Sequence, residues 1–215
     1  MNICFDWDGT LAKKEVAEEA SIRRAQTIGF DIDRDHIRDA MKTNSHYKIN
    51  KEMISKYTGV VDERELTVLM TDIFRYHYLG VVNEWREAIF LDGVMELLIA
   101  LKRNGHTLSI ASTLRQDILE YSLQTVGMRD VFSTIKANTP DLIYSKEDLI
   151  KQVVQELSLI DFMIGDRQDD ILAGKSVNAK TIFVTYGAED TPEDQIADYH
   201  ASAPDEILDI ITRMQ

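Results

Sequence analysis

From Thr107 onward, short β-rich runs alternate with helix-length segments, and this alternation most narrows what the chain can fold into. Thr107–Ser112, Ser133–Lys136, Asp161–Gly165 and Lys180–Thr185 read as strands. Such alternation predicts an α/β fold, with a parallel sheet flanked by helices on both faces. Leu149, Ile150, Val153, Val154 and Leu157 form one apolar helical stripe after Ser145, and Ile207, Leu208 and Ile211 predict a closing helix after Pro204. The amino-terminal run Asn2–Asp6 has to join the same sheet from a distance. Between these parts, residues 13–88 show no convincing strand alternation, while Leu66, Leu69, Met70, Ile73 and Phe74 recur at helical spacing. The expected organisation is a core of residues 1–11 and 89–215 carrying an inserted α-helical domain, residues 12–88.

Composition excludes several classes of function. The chain has 215 residues, 44% of them hydrophobic, enough for a sizeable core. Its formal net charge of −13 argues against a binder of nucleic acid or of a membrane surface, which needs clustered Lys and Arg. An anionic substrate therefore has to be held locally. The basic residues Lys42, His46, Lys48, Lys51 and Lys56 gather in the insert; a solvated helix face accounts for them, or some of them face such a substrate. Cys4, the single cysteine, lies inside the first strand, so no disulfide or cysteine-rich metal site can form within the chain. No basic segment precedes a long apolar run, and Val94–Leu101 is short and interrupted by Glu96. A soluble, cytoplasmic protein is expected.

The first strand leads directly into Asp6-Trp7-Asp8-Gly9-Thr10, two carboxylates followed by a turn. Positions i and i+2 of a strand share a face, so both carboxylates can reach one ligand. In open α/β sheets, ligands bind beyond the carboxyl ends of the strands. Asp6, Ser112 and the pair Gly165-Asp166 all fall there. One carboxylate can attack phosphorus while the other handles protons, splitting a hard hydrolysis into two easier steps. Such crowding of negative charge calls for a hard divalent cation with oxygen ligands, for which Mg²⁺ is suited. Asp166 offers a further carboxylate, and Lys146 and the Ser112 hydroxyl can neutralise and orient phosphoryl oxygens. Lys146 also opens a helix whose start, Ser145-Lys146-Glu147-Asp148, reads as a capping box. A cation there opposes the helix dipole unless an anion is close.

The segment Cys4-Phe5-Asp6-Trp7-Asp8-Gly9-Thr10-Leu11 resembles the first motif of the haloacid dehalogenase-like (HAD) phosphohydrolases. Leu108-Ser109-Ile110-Ala111-Ser112-Thr113 resembles the second, Lys146 the third, and Gly165-Asp166-Arg167-Gln168-Asp169-Asp170-Ile171 the fourth. The resemblance implies a Rossmann-like core with a helical cap. It implies that Asp6 is the nucleophile and Asp8 the general acid/base, and that Ser112 and Lys146 hold phosphate, with Thr113 beside them. It further implies Mg²⁺ bound by Asp6, the backbone carbonyl at Asp8, and Asp166, with Asp170 in support. The tail, including Val184-Thr185-Tyr186-Gly187, is similar to the phosphoglycolate phosphatase-like branch, whose helical insert is a mobile cap. Thr58-Gly59-Val60-Val61-Asp62-Glu63-Arg64 resembles a cap loop that contacts substrate, making Arg64 a candidate specificity residue.

Departures from the branch are Arg167 after the fourth-motif Asp, where Ser is frequent, no Pro after Lys146, Asp92 before Gly93, and Ala12-Lys13-Lys14 after Leu11. None removes a reacting group. Arg167 is expected to pair with Asp169 at the surface or to reach the site mouth. Trp7 reads as a core residue, and Tyr76, His77 and Tyr78 as packing or surface groups that could touch substrate. The leading expectation is a Mg²⁺-dependent phosphatase acting on a small phosphate monoester. A β-phosphoglucomutase-like sugar phosphomutase uses the same pair of aspartates, and a non-catalytic protein retaining the fold would have lost one of the reacting groups. A dehalogenase does not need the acid/base at Asp8, and the phosphonatases resemble this chain with Ala in its place.

Overall fold

A strand buried on both faces cannot alternate apolar with polar residues, and the runs at the centre of this chain do not. In a computed structural model, the described residues are 1–42, 63–140, 142–187 and 196–214. They contain six strands in one all-parallel sheet: β1 (Asn2–Phe5), β2 (Thr107–Arg115), β3 (Phe132–Asn138), β4 (Phe162–Gly165), β5 (Lys180–Val184) and β6 (Tyr199–Ala201), in the order β3-β2-β1-β4-β5-β6. Ile3, Cys4 and Phe5 of β1 and every residue of β4 are buried, as expected for central strands covered on both sides. β6 was not anticipated: three residues are too few to show a period. β2 runs three residues past the expected end at Ser112, with a register irregularity between Ser112 and Arg115 against β3.

The helices are α1 (Lys14–Thr27), α2 (Arg34–Lys42), α3 (Glu63–Trp85), α4 (Val94–Arg103), α5 (Gln116–Thr125), α6 (Lys146–Leu157), α7 (Gln168–Ser176) and α8 (Pro204–Arg213). Contacts divide the chain into two units, Met1–Lys13 with Glu87–Gln215, and Lys14–Arg86. In the first, Leu149, Ile150 and Val153 of α6 bury the predicted stripe against Cys4, Ala111 and Met163. Gly174 lets α7 lie close to the sheet, because a Cβ there would sit 2.7 Å from Met163 Cβ and 2.8 Å from Thr181 Cγ2. Burial pushes the Cys4 thiol up to about 12, so it is an inert core group at neutral pH.

In the second unit the described residues form helices joined by a short irregular stretch, residues 28–33, with no strand among them. Glu18 is buried and accepts from Arg38 Nε and Nη2, both at 3.2 Å, while Arg23 forms a two-pronged pair with Glu84 at 2.6 and 2.7 Å. The Arg24 guanidinium lies 5.4 Å from the centre of the Phe74 ring. The apolar stripe of α3 differs from the expected one. Leu69 is 51% exposed, whereas Met70, Tyr78, Val81 and Val82 are buried, because the helix is much longer than the five residues that suggested it and its buried face is set by the whole length. Tyr76 is exposed and His77 Nε2 lies 2.7 Å from Thr27 Oγ1. His46, Lys48, Lys51, Lys56 and Thr58–Asp62 lie outside the described residues, as do the side chains of Lys42, Arg64 and Leu66. Among the described residues no helix is long and apolar enough to cross a membrane.

Candidate active site

The strand order reverses at β1, whose neighbours are β2 and β4, and a crevice opens at the carboxyl ends of strands at such a switch point. Asp6 follows β1 and Asp166 follows β4, so two carboxylates stand side by side there. The Asp6 N–H donates to the Ile164 carbonyl at 2.9 Å, extending the β1–β4 ladder by one bond and fixing where the first carboxylate leaves the sheet. After it the chain turns sharply: the Trp7 carbonyl accepts from the N–H groups of Thr10, Leu11 and Ala12 at 3.3, 2.9 and 2.8 Å. Gly9 has φ 79°, a left-handed conformation that favours glycine. Trp7 is fully buried with its ring edge-on to Phe90, centroids 5.8 Å apart, and so anchors this turn from below.

Asp170 enters from the first turn of α7. Its Oδ2 accepts from the Arg167 N–H at 3.1 Å, a cap that also fixes the direction of the carboxylate. Gly165 makes room for it, since a Cβ at that position would lie 2.3 Å from the Asp170 carboxylate. Lys146 is the first residue of α6, behind the capping box that Ser145 and Asp148 form. Its ammonium contacts Asp6 Oδ1, lies 2.8 Å from Asp170 Oδ1 and donates to the Ala111 carbonyl at 3.1 Å. These carboxylates are the nearby anions that make a cation tolerable at a helix start.

Asp6, Lys146, Asp166 and Asp170 are all buried. Burial disfavours the charged form of Lys146, but the Asp170 and Asp6 carboxylates more than offset this and hold its ammonium above the usual range. Burial, reinforced by Asp6, pushes the Asp170 carboxyl well above its ordinary value. The Lys146 ammonium contacts two of the three acidic groups, Asp6 and Asp170. Oxygen atoms of Asp6, Asp166 and Asp170 lie within 4.8 Å of one another, a set of hard donors that fits a divalent cation such as Mg²⁺.

Other sequence-derived candidates fall around this cluster. Ser112 follows Ala111 on β2, is buried, and its Oγ accepts from the Leu114 N–H at 3.1 Å. Thr113 is exposed beside it, and Asp8 is half-buried in the turn after Asp6. Arg167 donates from Nε to Asp169 Oδ1 at 3.2 Å, the surface ion pair that the sequence suggested. Arg64 belongs to the first turn of α3 in the other unit.

Sequence reasoning gave no role to four neighbours. Thr10 Oγ1 stands 3.5 Å from Asp166 Oδ1. Tyr186 donates its hydroxyl to the Thr10 carbonyl at 3.2 Å, and Gly187 passes so close that a Cβ there would meet the Gly9 carbonyl oxygen at 1.6 Å. Asn138 bonds both to Thr113 near the end of β2 and to Tyr144 ahead of α6. The Tyr186-Gly187 pair was visible only as part of a family-like tail, and an asparagine at a strand end carries no signal of its own.

Residues 3–184 match the family model of the haloacid dehalogenase-like hydrolases. A phosphoglycolate phosphatase of Colwellia psychrerythraea is 26% identical over 201 residues, covering 86% of this chain and 84% of that protein. A phosphoglycolate phosphatase of Synechococcus elongatus is 30% identical over 129 residues, covering 57% of this chain and 59% of that protein, so this match spans less than two thirds of the relative's length. CbbY from Rhodobacter sphaeroides, solved in complex with phosphate, superposes with a TM-score of 0.73 at 20% identity over 96% of this chain and 95% of its own, which shows a shared fold. With a family match over most of its length and the fold to accompany it, the chain belongs to the haloacid dehalogenase-like hydrolases.

Proposed function

We propose that the protein is a Mg²⁺-dependent phosphatase that hydrolyses a small phosphate monoester through an aspartyl-phosphate. The observation that carries this reading is the buried cluster in which Lys146 joins Asp6 to Asp170 beside Asp166. In the first step an Asp6 oxygen attacks phosphorus and the ester P–O bond breaks, with Asp8 delivering its proton to the departing alkoxide. In the second, Asp8 takes a proton from water, whose oxygen attacks the same phosphorus; inorganic phosphate leaves and the Asp6 carboxylate is regenerated. Lys146 lowers the repulsion that an incoming phosphoryl group meets at Asp6, and Ser112 and Thr113 donate to its oxygens. Asp6, Asp166 and Asp170, with the backbone carbonyl at Asp8, would hold Mg²⁺, which when bound offsets the charge that carboxylates and phosphoryl oxygens bring together.

The core, residues 1–11 and 89–215, carries the chemistry in this reading, and the helical insert, residues 12–88, chooses the alcohol, with Arg64 as a candidate contact. The names of the two curated relatives make 2-phosphoglycolate the first ester to try. The test is a panel of phosphate monoesters that includes 2-phosphoglycolate and β-glucose 1-phosphate, followed with Mg²⁺ and with EDTA, for the wild type and Asp6→Asn. Phosphate release that needs Mg²⁺ and disappears in Asp6→Asn is the expected result. Isomerisation of the sugar phosphate without release would identify a mutase instead, and inactivity across the panel would point to a non-catalytic member of the family. A cytoplasmic location is part of the same proposal, since its substrates are small phosphorylated metabolites.

A further inference from the structure

We infer that Asn138 is a positioning residue that sets both phosphate-holding groups, Ser112 and Lys146, from one buried amide. This rests on the phosphatase reading, in which those two groups receive the phosphoryl oxygens. Asn138 closes β3 and is only 8% exposed. Its Nδ2 donates to the Thr113 carbonyl at 2.8 Å, and its Oδ1 accepts from the Tyr144 N–H at 2.7 Å. A backbone carbonyl can only accept and a backbone N–H can only donate, so the orientation of the amide is dictated by its partners.

The first bond holds the peptide between Thr113 and Leu114. The carbonyl of that planar unit accepts from Asn138, and its N–H donates to Ser112 Oγ at 3.1 Å. The Ser112 oxygen is thereby engaged as an acceptor, and its hydroxyl proton is left to be donated, which is what a phosphoryl oxygen requires. The place for such a tie is visible in the sheet, where the register of β2 against β3 shifts between Ser112 and Arg115, the stretch that holds Thr113. The second bond holds Tyr144, the residue before the Ser145 cap of α6, whose first residue is Lys146. Asn138 therefore ties the end of β2, which carries a hydroxyl donor, to a helix start that carries an ammonium.

The test uses Asn138→Asp, which keeps the acceptor for Tyr144 but loses the donor to Thr113, and Asn138→Leu, which loses both. Inorganic phosphate is titrated calorimetrically into the Mg²⁺-loaded protein, and hydrolysis is followed separately. Phosphate affinity should fall at least fivefold in Asn138→Asp and at least tenfold in Asn138→Leu. In a Ser112→Ala background the effect of Asn138→Asp should shrink to under twofold, whereas a general loss of packing would persist there. Phosphate affinities within twofold of the wild type, or an undiminished effect without Ser112, would overturn the inference. A wild type that binds phosphate but hydrolyses no ester would sink the phosphatase reading while leaving the positioning role standing, and a wild type that binds no phosphate would end both. Should Asn138→Leu fail to fold, the near-isosteric Asn138→Asp decides.

Discussion

At the scale of single residues, the site depends on absent side chains as much as on present ones. Gly165 is the sharpest case: any Cβ there would lie 2.3 Å from both the Asp170 Cβ and its Oδ2, so Asp170 would have to shift. Gly165→Ala should displace Asp170 from Lys146 and lower kcat/KM by about 10²-fold, the scale on which a 1 Å misplacement acts. Thermal unfolding measured alongside would separate this from collapse of the core; kcat/KM within a few-fold of wild type would show that the carboxylate can relocate without consequence. Asp6, Asp8 and Asp166 were legible because each stands at a strand end beside a glycine-bearing turn. Asp170 stood out only through its place in a motif, and Lys146 also as a cation at a capped helix start, but two side chains separated by 24 residues reveal nothing of a shared ion pair until the sheet brings them together.

Among the elements, α6 shows how a helix end can be local in origin and functional in effect. Ser145 and Asp148 bond reciprocally, Ser145 Oγ accepting from the Asp148 N–H at 3.1 Å and the Asp148 carboxylate accepting from the Ser145 N–H at 3.3 Å. Ser145→Ala should cost about 1 kcal/mol of stability, read from urea unfolding. Hydrogen bonds from the Ser145 side chain and backbone hold the Asp148 carboxyl below its usual range. A carboxyl depressed in the folded state stabilises above its unfolded value, about pH 4, and loses that contribution as pH falls through the folded one. Asp148→Ala should therefore melt lower than the wild type at pH 7, with the gap closing below about pH 4. A gap unchanged at pH 3 would show that the box does not act through the carboxylate. The capping pattern was readable from four consecutive residues, whereas β6 was not, because three residues at a sheet edge leave no periodic trace.

For the whole molecule, the central consequence is a concentration of buried negative charge at the switch point of the sheet. Folding gathers Asp6, Asp166 and Asp170 within 4.8 Å of one another, with Lys146 against Asp6 and Asp170, an arrangement that favours function over stability when no cation is present. Mg²⁺ that binds the folded state alone should stabilise it by about 2.7 kcal/mol at a hundred times its dissociation constant. The melting temperature should accordingly rise by several degrees on adding Mg²⁺, and Asp166→Asn should abolish most of that rise. An equal rise in the variant would mean that the cation binds elsewhere.

The amino-acid sequence alone determined the parallel α/β class, the helices among the described residues of the insert, the capping box and the carboxylates at the strand ends. All of these are local in origin: hydrophobic periodicity, turn chemistry and motif spacing operate over a few to a few dozen residues. Tertiary structure decided what no local pattern encodes. It placed Asp170 against Gly165, brought Lys146 to Asp6 across 140 residues of chain, and joined Asn138 both to the end of β2 and to the segment before α6. Each depends on how the crossover helices pack against the sheet, and packing is a property of the assembled core rather than of any segment within it.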